Sequence, residues 1–326
     1  MMTTAVRIHD YGSPDVLSVE DVSVGAPGPG EVRLRQTAIG LNFVEVYFRR
    51  GDFRLPALPA TLGNEGAGVV EAVGEGVTGI VVGDRVAYAD GPIGAYAAER
   101  LYPADRLVPL PSSISDEIAA AVMLKGMTAQ YLLKQVWPLR AGDTVLYHAA
   151  AGGVGQILTR WATYLGINVI GTASTAEKRY AAREAGCIHV IESGSPDLAA
   201  RVRDLTGGRG VTAVFDSIGQ DTALLSLDCL KPRGILVSFG LASGPAPAIA
   251  PLTLAAKGSL YVTHCTLPTY TASRSELTAA ASDLFNAIEL GIVSINLPRR
   301  YALADVVQAH RDLEGRRITG QAILLP

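Results

Sequence analysis

From Asp143 onward the sequence keeps one rhythm: a short apolar run, a stretch with helical spacing, then another apolar run. The runs are "TVLYHA", "NVIGTA", "HVIE", "TAVFD", "GILVSFG" and "SLYVT", and between them the spacing predicts helices from Gly153, Thr175, Asp197, Asp221 and near Leu252. Strands joined by helical crossovers pair as a parallel sheet, and right-handed crossovers put helices on both of its faces. The fold class this predicts is α/β, a doubly wound parallel sheet. Such sheets bind ligands beyond the carboxyl ends of their strands, so the first strand-to-helix turn is the place to look for chemistry.

That turn reads "HAAAGGVGQ", His148 to Gln156. It matches the dinucleotide pattern GxGxxG except that Ala150 stands at the first glycine. Gly152 lets the backbone approach a pyrophosphate and Gly155 permits close packing of helix on strand. The helix start at Gly153, Val154 and Gly155 aims free N–H groups at phosphates. A glycine turn kept for packing alone is the competing reading; the position at the head of a βαβ series favours a dinucleotide. NAD sites carry an Asp or Glu at the end of the second strand. Here no carboxylate occurs from Thr172 to Thr175; Thr172 and Ser174 supply hydroxyls, and Lys178 and Arg179 follow Glu177. Hydroxyls with nearby cations suit a 2′-phosphate, which predicts NADPH. The alternative is that Lys178 and Arg179 are solvated residues of a first helical turn.

Up to residue 124 the texture differs. Alternating runs such as "EVRLRQTAIGL", "GAGVVEAVG" and "DRVAYA" lie between the turns "GAPGPGE", "LPALPA" and "VGEGVTG", the pattern of a β-rich domain. The last sixty residues hold two helical stretches and the closing strand "QAILLP", expected to return to the first domain. The expected division is thus 1–124, 125–266 and 267–326. With 326 residues, 48% of them hydrophobic and 18% charged, the chain can bury two cores. A net charge of -3 offers no basic field for nucleic acid or an anionic membrane, and no apolar stretch reaches spanning length. The start, "MMTTAVRIHDYGSPD", shows no secretory signal, so a cytoplasmic protein is expected. Cys187, Cys229 and Cys265 are too few and too widely spaced for a disulfide framework or a zinc clip, and reduced, buried thiols are expected.

Several segments, in order along nearly the whole chain, carry a resemblance: "AIGLNFVEVYFRRG", "LGNEGAGVVEAVGEGV", "VGDRVAYA", "GAYAAE", "LKGMTAQYLL", "HAAAGGVGQ", "LDCLKPRGILVSFG" and "KGSLYVT". The chain resembles the NADPH-dependent quinone oxidoreductases of the medium-chain dehydrogenase/reductase superfamily, the zeta-crystallin group. The resemblance implies a GroES-like catalytic domain, an inserted Rossmann domain, a cleft between them and a dimer. An apolar last strand, "SLYVT", fits that dimer, since it would leave a sheet edge open unless paired with its copy.

The resemblance also locates a departure. Zinc alcohol dehydrogenases of the superfamily have Cys and His where this chain has Asn42 and Asn64, and their four-cysteine lobe is missing after "DRVAY". No Cys precedes residue 187, and His9, His148, His189, His264 and His310 are scattered, so no tetrahedral N/S site and no Lewis-acid alcohol oxidation is expected. A metal-free reductase needs alignment, electrostatics and proton handling, which quinone oxyanions make undemanding.

By the same resemblance Asn42 and Tyr47 face the nicotinamide, Asn42 holding the ribose or carboxamide and Tyr47 offering its phenol to substrate oxygen. Their competing readings are a turn residue and a core aromatic. Lys125 and Thr128 correspond to positions beside the nicotinamide and phosphates, with a helix N-cap as the alternative for Thr128. Phe239, Gly240 and Leu241 should wall the nicotinamide by the strand-end rule, Ser217 the adenosine half, and Arg316 is a further cofactor candidate. Ser193 and His264 stand where relatives often have Tyr and Arg, which predicts weaker NADPH affinity. Two other functions stay open: reduction of activated alkenes such as enones or enoyl thioesters, and a noncatalytic nucleotide- or RNA-binding role, the latter disfavoured by charge.

Overall fold

The computed structural model describes residues 1–295 and 298–326. Its first elements in chain order are β1 (Met2–Ile8), β2 (Leu17–Ser23), β3 (Glu31–Gly40), α1 (Phe43–Arg50), β4 (Ala60–Thr61), β5 (Glu65–Val73), β6 (Arg85–Ala89), β7 (Glu99–Pro103), β8 (Val108–Pro109) and α2 (Asp116–Lys134). The alternating segment supplies β9 (Thr144–Tyr147), α3 (Gly153–Tyr164), β10 (Asn168–Ala173), α4 (Ala176–Glu184), β11 (His189–Glu192), α5 (Leu198–Leu205), β12 (Val211–Asp216), α6 (Ala223–Cys229), β13 (Leu230–Ser238), α7 (Pro251–Ala256) and β14 (Tyr261–His264). The chain closes with α8 (Leu267–Tyr270), α9 (Arg274–Glu289), β15 (Arg299–Ala302), α10 (Val306–Glu314) and β16 (Ala322–Leu325).

These elements form two compact units. One comprises Met1–Met127, Tyr270–Glu289 and Ile295–Pro326; the other comprises Thr128–Thr269 with Leu290–Ser294. The division falls inside α2, which runs without a break through residue 124. Thr128 therefore lies deep in a helix, which removes the N-cap reading of it.

In the first unit β15, β16, β3, β5, β6 and β8 follow one another in a sheet, β7 also pairs with β3, and β2, β1 and β4 form a second sheet. Alternation along β3 explains the packing: Val32, Leu34 and Gln36 point inward while Arg33 and Arg35 point out. Val32 and Leu34 join Val70, Val86, Tyr88, Tyr102 and Leu324 in the core. Gln36 is satisfied by donating to the Ala95 and Ala97 carbonyls at 2.7 and 2.5 Å. Gly126 of α2 makes room for α9, since a Cβ there would lie 2.4 Å from the Leu284 Cδ1.

In the second unit the order is β11, β10, β9, β12, β13, β14, with every pair parallel. Numbered from β9 this is the 3-2-1-4-5-6 order of the dinucleotide-binding sheet, whose direction of progression reverses between β9 and β12. All six residues of β12 are buried, as a central strand covered on both faces requires. Leu146, Ile170, Val214 and Leu236 make the core.

Candidate functional site

At the end of β9 the chain turns through Ala149, held at φ +57°, and Gly152 becomes the N-cap of α3. The two glycines of the turn serve different ends. A Cβ on Gly155 would lie 2.6 Å from the Ala150 carbonyl oxygen, so this glycine is required by the approach of helix to strand. A Cβ on Gly152 would meet only the Ala149 oxygen, at 3.1 Å, so the space it leaves is not filled by the protein. Gly152, Gly153 and Val154 are partly exposed while Gly155 is buried. Ala150 is accommodated because its neighbour on β10 is Gly171, where a Cβ would lie 2.7 Å from the Ala150 methyl. The departure from GxGxxG is thus compensated across the sheet.

Around the carboxyl ends of β10 and β11 the structure gathers Ser174, Lys178, Arg179 and Ser193. Thr175 caps α4 by accepting the Lys178 amide at 3.2 Å, Arg179 donates to the Ser174 carbonyl at 3.4 Å, and the Ser193 amide bonds to the Ala173 carbonyl at 3.1 Å. Arg179 also pairs with Glu192 at 3.4 Å, a carboxylate 62% exposed, so this contact restrains the guanidinium only weakly. Thr172 departs from the expectation of a ligand hydroxyl. It is 1% exposed, and its Oγ1 accepts the Ala149 amide at 3.2 Å and lies 3.3 Å from His148 Nδ1. Its hydroxyl shapes the turn from inside.

The ends of β12 and β13 bring Ser217, Phe239, Gly240 and Leu241 together. A Cβ on Gly240 would lie 2.7 Å from the Ser217 oxygen, the Phe239 amide donates to the Asp216 carbonyl at 2.9 Å, and the Phe239 ring packs 6.0 Å from Tyr147. His264 Nδ1 lies 3.1 Å from Ser238 Oγ. All three cysteines are buried and free, and burial pushes the thiols of Cys187 and Cys229 up to about 11 and about 12, far from a reactive thiolate.

The first unit presents a different construction. Asn42 caps α1, whose C-terminal turn closes at Gly51, φ +82°. The Asn42 amide donates to Glu45 Oε2 at 2.7 Å, and its Nδ2 donates to Glu65 Oε2 at 2.9 Å. That carboxylate fixes which way the carboxamide points. Its Oδ1 faces the Glu45 backbone end of the capping box yet makes no hydrogen bond of ordinary geometry, and so is a buried, unsatisfied acceptor. Glu65 also accepts the Leu124 amide at 2.6 Å and the Lys125 ammonium at 3.3 Å, and Asn64 donates twice to Glu45 Oε1, both at 3.2 Å. Burial raises Glu45 to about 7, against the hydrogen bonds from Asn64 and Asn42 and the Lys125 charge.

Asn42, Asn64 and Lys125 are therefore joined through two fully buried carboxylates, Glu45 and Glu65, that sequence reasoning did not single out. "FVEVY" reads as an amphipathic helix with an outward Glu, and only the glycine-rich surroundings of Glu65 hinted at a crowded backbone. Tyr47, 6% exposed, sits on the same helix, its ring 5.7 Å from Phe43 and 5.4 Å from Phe53. Arg316 belongs to this unit too, exposed in the turn after α10 with φ +56°.

This donor set does not suit zinc. Two carboxamides and a lysine ammonium stand with Glu65 where a metal would need thiolate or imidazole, and among the described residues no group of three His, Cys, Asp or Glu side chains could hold an ion.

Comparison with known proteins agrees with this two-part construction. Residues 28–131 match the alcohol dehydrogenase GroES-like domain and residues 153–286 the zinc-binding dehydrogenase domain. A quinone oxidoreductase of Pseudomonas aeruginosa is 50% identical over the full length of both chains. A 2-haloacrylate reductase of Burkholderia is 46% identical, covering 100% of this chain and 99% of the relative. The crystal structure of Escherichia coli quinone oxidoreductase complexed with NADPH superposes with a TM-score of 0.97 at 42% identity, covering 99% of this chain and 100% of the other. The chain belongs to the quinone oxidoreductase family of the medium-chain dehydrogenases/reductases.

Proposed function

We propose that this protein is an NADPH-dependent oxidoreductase that reduces quinones without a metal. The observation that carries the reading is the unfilled space at Gly152 on the N-terminus of α3, beside a β10 end that offers Ser174, Lys178 and Arg179 and has no carboxylate from Thr172 to Thr175. These residues fit a dinucleotide with a 2′-phosphate, and the Asn42 Oδ1, a buried acceptor with no hydrogen bond of ordinary geometry, suits a donor such as a ribose hydroxyl or a carboxamide. Bound NADPH supplies a hydride.

Each part of the chain has a defined task in that reaction. The amides of Gly153, Val154 and Gly155 orient the diphosphate at the positive end of α3. Ser174, Lys178, Arg179 and Ser193 receive the adenosine phosphate, and Ser217, Phe239, Gly240 and Leu241 line the remainder of the cofactor. Asn42 and Lys125, held by Glu65, orient the nicotinamide, with Thr128 and Arg316 as further cofactor contacts. Tyr47 donates to the oxygen that gains charge, and water completes protonation.

A twofold dimer through β14 is supported by its place at the sheet edge and by Tyr261 and Val262, 52% and 39% exposed at successive positions on its two faces. A cytoplasmic location completes the proposal; among the described residues no helix is long and apolar enough to cross a membrane. A second reading, reduction of activated alkenes, is supported by the 2-haloacrylate reductase at 46% identity. It uses the same hydride geometry and protonates carbon in place of oxygen.

The deciding experiment follows NADPH oxidation with para-quinones, ortho-quinones and enones, comparing NADH in each case. Turnover of quinones with NADPH preferred is the expected result; turnover of enones alone would replace the substrate class, and no turnover would return the chain to a binding role. Tyr47→Phe keeps the ring contacts and should lower kcat by about tenfold to a hundredfold with little change in NADPH affinity.

A further inference from the structure

Beneath the glycine turn lies a buried polar network that the reaction above does not use. His148, Thr172, Asp216 and Ser226 are each no more than 2% exposed. The Ala149 amide donates to Thr172 Oγ1 at 3.2 Å, Thr172 Oγ1 lies 3.3 Å from His148 Nδ1, His148 Nε2 lies 2.9 Å from Ser226 Oγ, and Ser226 donates to Asp216 Oδ2 at 3.2 Å. One end of this chain is a backbone amide, which can only donate. The other is a carboxylate, which also accepts the amides of Ile218 and Gly219, at 2.8 and 3.1 Å, and the Thr222 hydroxyl, at 2.7 Å. Ser226 has a single proton, and giving it to this carboxylate leaves its oxygen to accept, which for a neutral imidazole sets the remaining directions. Ser226 gives its proton to Asp216 and accepts from Nε2–H; Nδ1 is bare and accepts from Thr172.

The network also spans the point where the sheet changes direction. His148 follows β9, Thr172 lies on β10, Asp216 ends β12, and Ser226 lies on α6, while the His148 amide donates to the Phe215 carbonyl at 3.1 Å. One side of that point carries the glycine turn, the other the loop through Ser217, Ile218 and Gly219. The β9–β12 ladder ends at the Tyr147–Phe215 pair and the His148 amide bond, and beyond it the imidazole joins the two sides through side chains.

We propose that His148, as the neutral Nε2–H tautomer, is a positioning residue for NADPH that locks the diphosphate turn after β9 to the loop after β12. The inference rests on the NADPH reading and deepens it: the two halves of the cofactor cradle are set by one imidazole that touches no part of the ligand. Burial keeps the imidazole pKa below its ordinary value, in keeping with a neutral ring. It follows that Thr172 and Ser226 act on NADPH binding as a coupled pair although His148 stands between them.

The test is a double-mutant cycle read on NADPH affinity by fluorescence titration, with thermal stability followed in parallel. Thr172→Val and Ser226→Ala should each weaken NADPH binding by about tenfold, and the double variant by little more than either alone. Thr172→Ser, which keeps the hydroxyl, should restore binding. Losses that multiply, or melting temperatures that fall while affinity stays constant, would overturn the proposal by reducing the network to ordinary core packing. Independently of any cofactor, nitrogen-15 NMR of the wild-type imidazole should show a neutral ring protonated at Nε2 near neutral pH; a proton on Nδ1 overturns the relay whether or not NADPH binds. Failure of the wild type to bind NADPH would instead remove the cofactor reading, a result the NMR measurement does not share.

Discussion

At Gly152 the chain presents backbone to whatever lies beyond α3, whereas at Asn42 it presents side chains held in place by buried carboxylates. The glycine turn needs space and an oriented row of amides, which the fold supplies through helix geometry and a compensating glycine on β10. The Asn42 site needs buried charge to be balanced: Glu65 is fully buried and paired with Lys125, and Glu45, also fully buried, feels the same ammonium from close by. One site is therefore robust to side-chain change and sensitive to added volume; the other tolerates volume poorly and loss of charge worse.

Breaking the ion pair should have the largest effect. Lys125→Met leaves Glu65 desolvated with its hydrogen bonds from Asn42 and Leu124 but no cation, and should lower the unfolding free energy by about 3 kcal/mol or more. Chemical denaturation measures this, and a loss under about 0.5 kcal/mol, the range of ordinary surface substitutions, would mean the pair is already hydrated. The double variant Lys125→Met with Glu65→Leu should recover part of the loss, because the uncompensated charge goes with its partner.

The glycine turn is sharpened by contrasting its own two glycines. Gly155→Ala forces a methyl against the Ala150 carbonyl and should cost on the order of 1–3 kcal/mol of stability. Gly152→Ala meets far less resistance, so its stability should change little while NADPH affinity falls about tenfold, since the methyl would occupy the space proposed for the diphosphate. If both variants behaved alike, the turn would be a packing device at both positions.

The same contrast explains how far the sequence could be read. The second unit was legible because alternation of strand and helix, and glycine at a strand-to-helix turn, are local patterns whose meaning does not depend on distant residues. Asn42, Tyr47 and Lys125 were reached through resemblance, not periodicity. Glu45 and Glu65 escaped because their burial is decided by partners far along the chain: Glu65 meets Leu124 and Lys125, and Glu45 meets Asn64. Thr172 differs from its sequence expectation for the opposite reason. A hydroxyl at a strand end looks available until the Ala149 amide and His148 are seen to occupy it.

Glu45 gives a smaller, pH-dependent signal. Its carboxyl is raised to about 7 in the folded protein from an ordinary value of 4.5, so between those values the folded state holds a proton that the unfolded state has lost. Its contribution is full below the unfolded value and disappears as pH rises through about 7, so stability should decline over that window in the wild type relative to Glu45→Gln. Parallel melts across the range test the sign; identical slopes would show that Asn42, Asn64 and Lys125 keep Glu45 ionised despite burial.

The smallest expected effect concerns affinity at the rim of the second unit. Ser193 is exposed just beyond β11, and its amide is anchored to the Ala173 carbonyl, so its side chain stands beside the β10 end without supporting the sheet. An aromatic side chain there would add a flat face at the adenosine end without displacing Ser174, Lys178 or Arg179. Ring contacts of this kind contribute about 0.5–1.5 kcal/mol, which converts to an increase in NADPH affinity of roughly twofold to tenfold for Ser193→Tyr. Because the gain would come from the adenine and not from the 2′-phosphate, NADH affinity should rise by a similar factor and the selectivity proposed for Lys178 and Arg179 should be unchanged. A gain confined to NADPH would mean that the new phenol reaches the phosphate, and would move the discriminating contact from the helix α4 cations to the β11 end.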